Sequence, residues 1–163
     1  MAVAAGLASG LALTVLDIGV FLPMSPGGVG RLVHQAHPSP WIGFLASFEG
    51  GITEEVELRL ILLSFLALGL TRGKGGPLSA GVFWSANIVA AVLFGLGHLP
   101  VTAKLVPLTP MIVARAIALN GVVGVVAGSL YRRRGIEMAM LCHFSADLVL
   151  HVALPHLIPL LSG

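Results

Sequence analysis

Apolar runs long enough to cross a lipid bilayer recur along this chain, and they constrain its fold more than any other feature of the sequence. Ala2 to Leu22 contains one charged residue, Asp17, and comparable runs extend over Leu78 to Leu99 and Met111 to Leu130. About 20 predominantly apolar residues suffice for a helix to span the hydrocarbon core. A water-soluble fold would leave such runs facing solvent, since 56% of the residues are apolar and 10% are charged. The sequence therefore predicts an integral membrane protein.

We predict an all-α bundle of five transmembrane helices around an internal polar cavity, with four or six helices as the alternatives. The bundle is expected to be a single transmembrane domain over residues 1–163, with a motif-bearing core at about residues 50–150. Thr53 is the expected N-cap of the second helix, because the acidic residues after it suit the positive end of a helix dipole. The preceding stretch, Trp41 to Phe48, is too short to span and is interpreted as an interfacial or re-entrant lead-in. The predicted spans cover residues 2–22, 53–70, 78–99, 111–130 and 136–154.

Several residues in the apolar segments are expected to serve structure. Pro100 should end the third span and begin a turn or short surface segment. Asn120, Gly124 and Gly128 recur every four residues, which permits close approach of a neighbouring backbone. Cys142 is the only cysteine, so an internal disulfide is excluded and a small buried thiol is expected.

The charge distribution excludes one class of partner and orients the helices. The net charge is +2, and no basic stripe interleaved with aromatic residues is present, so nucleic acid is not an expected partner. The first apolar segment has no positively charged leader and is interpreted as a retained helix. Helix order divides the loop charges between two sides, and the positive-inside rule makes the richer side cytoplasmic. One side holds Arg31 and Lys104, and the other holds Arg72, Lys74 and Arg132 to Arg134.

Titratable side chains inside the spans are the candidate functional residues, because they are costly at membrane depth and normally face a bundle interior. Glu55 and Arg59 are four residues apart on one helix face, so we expect them to support the site as a buried ion pair. Glu54 is rotated by about 100° from Glu55 and can face a cavity. His143 and Asp147 are also four residues apart, where a carboxylate can accept a hydrogen bond from an imidazole.

Three short motifs combine these residues. Glu-Glu-x-x-x-Arg stands at residues 54–59, Phe-x-x-x-His at residues 94–98 and His-x-x-x-Asp at residues 143–147. With all three in this order on separate apolar helices, the chain resembles the CPBP family of intramembrane proteases. This is the Abi or CAAX-protease group that includes the Ras-converting enzyme of eukaryotes. The resemblance covers roughly residues 50–150.

The resemblance implies an intramembrane endopeptidase that acts on a membrane-associated protein or peptide. A prenylated, CAAX-like substrate is one option, and processing of bacteriocins or self-immunity against them is another. The expected location is the lipid bilayer of a prokaryotic cell membrane. The resemblance also implies a site that opens toward the cytosol, whereas the loop charges place Glu54 and His98 nearer the opposite face.

The resemblance also implies a role for each motif residue. Glu54 would be the general base that activates water, while His98 and His143 would hold that water or the carbonyl oxygen of the substrate. The third motif commonly ends in Asn, a hydrogen-bond donor to the oxyanion, whereas an ionised Asp147 can only accept. We therefore expect Asp147 to orient His143 or a metal-bound water molecule. A mechanism without a cofactor is favoured, and the alternative is a catalytic zinc held by Glu54, His98 and His143.

The remaining polar residues are expected to lie outside the site. Asn87 is expected to form core hydrogen bonds, with a place in the cavity wall as the alternative. Arg115 is expected to extend toward a membrane boundary. His151 and His156, near a helix end, are left out of the site. Two other functions stay open: a membrane transporter, since buried titratable groups also form proton relays, and a non-catalytic membrane scaffold.

Overall fold

A computed structural model describes residues 1–25, 39–73 and 78–155. Within these ranges all regular secondary structure is helical, in five helices, which confirms the predicted all-α bundle. Arg31, Lys74 and His156 lie outside the described residues. The helices are α1 (Ala2–Met24), α2 (residues 40–70), α3 (Ala80–Leu105), α4 (Pro110–Arg134) and α5 (Ile136–Ala153).

Four of the five helices in the described ranges, α1, α3, α4 and α5, are long and apolar enough to cross a membrane. Helix α2 differs because it carries most of the acidic residues of the chain within its length. Two of its charged side chains, Glu55 and Arg59, are completely buried inside the bundle. Helix α2 packs against α3 and α5, so its buried charges lie inside the bundle, where the sequence predicts a polar site.

Helix α2 begins at Pro40, so the prediction that Thr53 caps it is wrong. The side chain of Ser39 caps the helix by accepting a hydrogen bond from the backbone N–H of Ile42 at 3.4 Å. The helix runs without a break through Gly50 and through wider, π-type turns at Glu49–Glu54 and Val56–Leu63. Such turns are rare and often occur at functional sites.

Two glycines in α2 permit a close approach to α5, and this explains why they do not end the helix. A Cβ atom at Gly50 would collide with the carboxylate of Asp147, and one at Gly51 would lie 2.7 Å from Cβ of Phe144. The glycine pair therefore reflects helix packing. In the sequence alone this glycine pair resembles a boundary between two helices, because glycine also marks breaks between helices.

Pro100 does not end α3, contrary to the prediction. The helix is regular over Ala80–Gly97, turns at His98 and continues over Leu99–Leu105. Pro100 lies in the first turn of that continuation, where a missing backbone N–H costs no helical hydrogen bond. The turn places His98 between two helical segments.

Small residues set the spacing between helices α3 and α4, as the sequence predicts. A Cβ atom at Gly124 would lie 3.1 Å from Cβ of Ala91, and one at Gly128 would collide with the side chain of Asn87. Asn87 is fully buried and donates a hydrogen bond to the backbone carbonyl of Val125 at 3.2 Å, which confirms its role in the core.

Helices α1 and α5 are packed in the same way. Gly6 and Gly10 of α1 lie against the α5 backbone at Cys142 and Ala146, with no room for a side chain. Cys142 is completely buried, as predicted. This contact brings α1 against the helix that carries His143.

Candidate active site

Glu54 lies at the centre of a group of polar side chains contributed by three helices. Its Oε1 is 3.8 Å from Nε2 of His98 on α3, and its Oε2 is 3.8 Å from Nε2 of His143 on α5. Both separations exceed hydrogen-bond length, and they suit a small molecule such as water shared by the three groups. The structure therefore brings together the three residues to which the sequence assigns the chemistry.

The three side chains differ in their access to solvent. The exposed fraction is 36% for the side chain of His98, 28% for Glu54 and 5% for His143. His98 and Glu54 therefore face open space, while His143 forms the buried wall behind them.

The second ring nitrogen of each histidine is already held by a hydrogen bond. Nδ1 of His98 lies 3.0 Å from the backbone carbonyl of Phe94, and Nδ1 of His143 lies 2.9 Å from Oε1 of Glu55. A carbonyl oxygen only accepts, so Nδ1 of His98 carries a proton, and a carboxylate favours the same tautomer for His143. In the neutral rings, both Nε2 atoms then present a lone pair toward Glu54.

Glu55 is the hub of a fully buried charge network. It accepts hydrogen bonds from Nε and Nη2 of Arg59 at 2.8 Å and 3.1 Å, and both side chains have no exposed surface. The predicted ion pair is therefore present. The additional bond to His143 was not predicted, because no local spacing connects residues 88 positions apart. Glu55 thus orients the histidine, a role that the sequence analysis assigned to Asp147.

Asp147 lies beside the site, between two histidines of α5. Its Oδ1 is 3.8 Å from Nε2 of His143 and 3.8 Å from Nε2 of His151, one helical turn further along α5. His151 was left out of the predicted site, yet it lies against Asp147 and lines the same cavity. Its position four residues after Asp147 was the available signal.

A cavity of about 740 Å³ connects these residues. It extends from Glu54 and the two histidines to the helix ends that hold Leu22, Leu105 and Pro155. A second cavity, of about 310 Å³, adjoins it between α2 and α3, and shares Glu54 and His98 with it. The predicted internal polar cavity is therefore present and reaches the candidate base.

The cavity wall also holds an ion pair that the sequence analysis missed. Nε and Nη2 of Arg115 donate to the two carboxylate oxygens of Asp17, each at 2.6 Å. The sequence predicted only that Arg115 extends toward a membrane boundary, and this partner was not predicted. Its partner is on another helix, 98 residues earlier in the chain, so no helical spacing could reveal it.

The predicted alternative of a zinc site was tested against the geometry. Among residues 1–25, 39–73 and 78–155, no three side chains of His, Cys, Asp or Glu are arranged to hold a metal ion. Tetrahedral zinc ligands at about 2.0–2.1 Å from the ion lie roughly 3.3 Å apart, closer than the 3.8 Å between Glu54 and each imidazole. These residues do not fit the ion in this arrangement.

A family model described as type II CAAX prenyl endopeptidase Rce1-like matches residues 36–149, which include all three motifs. No curated protein and no solved structure was found to match. With four helices able to cross a membrane, the match identifies an integral membrane endopeptidase of the CAAX type that acts on membrane-associated protein substrates. The chain belongs to the Rce1-like family of type II CAAX prenyl endopeptidases.

Proposed function

We propose that the chain hydrolyses a peptide bond of its substrate with a water molecule that Glu54 activates and that His98 and His143 position. The observation that carries the proposal is the convergence of two imidazoles on one carboxylate, each 3.8 Å from it, in a cavity of about 740 Å³. Each of the three comes from a different helix, so a packed bundle holds them in place.

The hydrogen bonds support separate roles for the glutamate and the histidines. A water molecule beside Glu54 can donate one hydrogen to the carboxylate and another to Nε2 of a neutral histidine, which aims a lone pair at the substrate carbonyl. Glu54 takes a proton as the water oxygen bonds to the carbonyl carbon. It then delivers that proton to the leaving nitrogen as the carbon–nitrogen bond breaks.

The developing oxyanion needs a donor, and His143 is the best placed candidate. When its ring is protonated, Nε2–H can donate to the oxyanion while Nδ1–H donates to Glu55 at 2.9 Å. An ionised Asp147 has no hydrogen to give, so we assign it to holding water next to Nε2 of His143.

Residues around this centre supply the setting. The buried pair of Glu55 and Arg59 fixes the turn of α2 from which Glu54 projects. The wide cavity admits water, which hydrolysis consumes. Prenylated peptides are the substrates to test first, because the family is described by that activity. A prokaryotic cell membrane remains the predicted location.

The test uses the purified protein in lipid vesicles with a library of quenched peptides, prenylated and unmodified, in water enriched in heavy oxygen. The proposal predicts cleaved peptides whose new carboxyl group carries one heavy oxygen atom, detected by mass spectrometry. A transporter would move peptides across the vesicle membrane intact, and a scaffold would leave them unchanged in place. Either of these results would contradict the proposal.

A further inference from the structure

We propose that Arg115, held by Asp17, binds a carboxylate of the substrate peptide and so sets how far from that carboxylate the chain is cut. The inference rests on the proposed function, because it concerns the same cavity. It concerns two residues outside the three motifs, and one of them, Asp17, precedes the region that matches the family.

The ion pair occupies the cavity wall as a partly open site. The exposed fractions of the Arg115 and Asp17 side chains are 19% and 17%, and both residues line the cavity that holds Glu54. The bonds to Asp17 use Nε and Nη2, one edge of the guanidinium. A guanidinium has five N–H groups, so further donors remain for a second acceptor, and carboxylates bind guanidinium in this two-pronged way.

Helix register gives the distance from this pair to the catalytic group. Leu13, Val123 and Ala146 pack in one buried cluster and so mark one level of the bundle. With a rise of about 1.5 Å per residue, Asp17 lies about 6 Å and Arg115 about 12 Å from that level, toward the same end of the bundle. His143 lies about 4.5 Å from that level in the opposite direction.

The separation matches a short peptide segment. Added together, these offsets along the helix axes separate the ion pair from His143 by roughly 10–16 Å. An extended chain covers about 3.3–3.6 Å per residue, so roughly three to five residues fit between the cleaved bond and the carboxylate. The cavity wall over this distance includes Leu119, Val123 and Leu150, which suit apolar side chains.

The carboxylate can come from a free C-terminus or from an acidic side chain, and both share the chemistry that Arg115 recognises. The experiment compares three peptides that share the same cleavable bond, four residues from the end. One has a free C-terminus, one an amidated C-terminus, and one an amidated C-terminus preceded by Asp. The full-length protein in lipid vesicles is used throughout.

The wild-type protein is expected to cleave the free acid with kcat/KM about 10- to 100-fold above the amide, mainly through KM, as the loss of a charged hydrogen bond predicts. Arg115→Gln should abolish the preference, so that this variant cleaves the acid and the amide with equal kcat/KM. Arg133→Gln, an exposed arginine on the same helix, should retain the wild-type preference. If the Asp-containing amide is cleaved as fast as the free acid, the site also binds a side-chain carboxylate. If it is cleaved as slowly as the plain amide, the site binds only the carboxylate of the C-terminus.

Because Arg115→Gln leaves Asp17 without its partner, the double variant Asp17→Asn/Arg115→Gln provides a second test without an unpaired charge. It should also show no preference for the acid. Equal cleavage of acid and amide by the wild-type protein would overturn the inference and leave the proposed function standing. The same conclusion would follow if each variant lost the same factor in kcat/KM on the acid and on the amide. Absence of cleavage of every peptide in the library would overturn both.

Discussion

Nδ1 of His143 lies 2.9 Å from Oε1 of Glu55, so the glutamate next to the candidate base holds a histidine on another helix. The two adjacent glutamates therefore face different surroundings. Glu55 is enclosed by Arg59 and His143 with no exposed surface, while the Glu54 side chain is 28% exposed and faces the cavity. One carboxylate orients the site, and the other is open to water and substrate.

Breaking the buried network should destabilise the fold as well as the site. Arg59→Ala leaves Glu55 as a buried charge with its guanidinium partner removed, and such changes cost about 3–5 kcal/mol. We expect a clear fall in the thermal unfolding temperature of the detergent-solubilised protein, together with lost activity. Arg133→Ala, at an exposed position, is the control and should leave that temperature unchanged. Equal unfolding temperatures for the two variants would show that the network does not stabilise the bundle.

Asp147→Asn should preserve most of the activity. Asparagine has the size of aspartate, so it fits beside Gly50, and it adds a hydrogen-bond donor next to His143. His143 keeps its orientation because Glu55 holds its other ring nitrogen. We expect kcat/KM within about tenfold of the wild-type value, since the amide oxygen of asparagine can still accept a hydrogen bond from the water that Asp147 holds. A loss as large as that of a Glu54 variant would instead make the Asp147 carboxylate essential.

Gly50→Ala should damage the site through packing alone. The added Cβ atom would collide with the carboxylate of Asp147, so α2 and α5 must separate or the carboxylate must move, at about 1–3 kcal/mol. Gly81→Ala is the matched control, because a Cβ atom at Gly81 meets no atom within 4 Å. Alanine there should be neutral or stabilise helix α3 by about 0.5–1 kcal/mol. Thermal unfolding and peptide cleavage measure both variants, and equal behaviour would refute the proposed close contact.

Peptide cleavage should continue in the presence of a metal chelator, and added zinc should not increase it. The reason is the spacing of 3.8 Å between Glu54 and each imidazole, wider than the roughly 3.3 Å between ligands of a regular tetrahedral zinc site. The measurement is the initial rate after dialysis against chelator, with a zinc protease as the positive control. Loss of activity that zinc restores would show that the three side chains move together around an ion.

The sequence could predict those parts of the site that depend on the spacing of residues within one helix. Intervals of four residues place Glu55 beside Arg59 on one helix face, and apolar runs around each motif predict helices packed in a bundle. Glycines in α4 indicated that a neighbouring helix approaches closely, and the structure confirms this at Gly124, where the neighbour is α3. The three motifs could be assigned to one site only through their resemblance to a family.

The parts that could not be predicted depend on contacts between distant helices. The bonds from His143 to Glu55 and from Arg115 to Asp17 connect residues 88 and 98 positions apart, and one sequence contains no record of such pairs. The start of α2 was missed for a different reason. Gly50 resembles a helix break, although close packing against Asp147 is what requires glycine there.

Glu54 is the proposed base for peptide hydrolysis, and a comparison of Glu54→Gln with Glu137→Gln is the decisive test of that role. Both changes replace a carboxylate by an amide of the same shape, but Glu137 is exposed at the start of α5. We expect Glu54→Gln to lower kcat/KM for peptide cleavage by about 10²–10⁴-fold with an unchanged unfolding temperature, while Glu137→Gln cleaves at the wild-type rate. A Glu54→Gln protein that cleaves peptides as fast as the Glu137→Gln protein would contradict it.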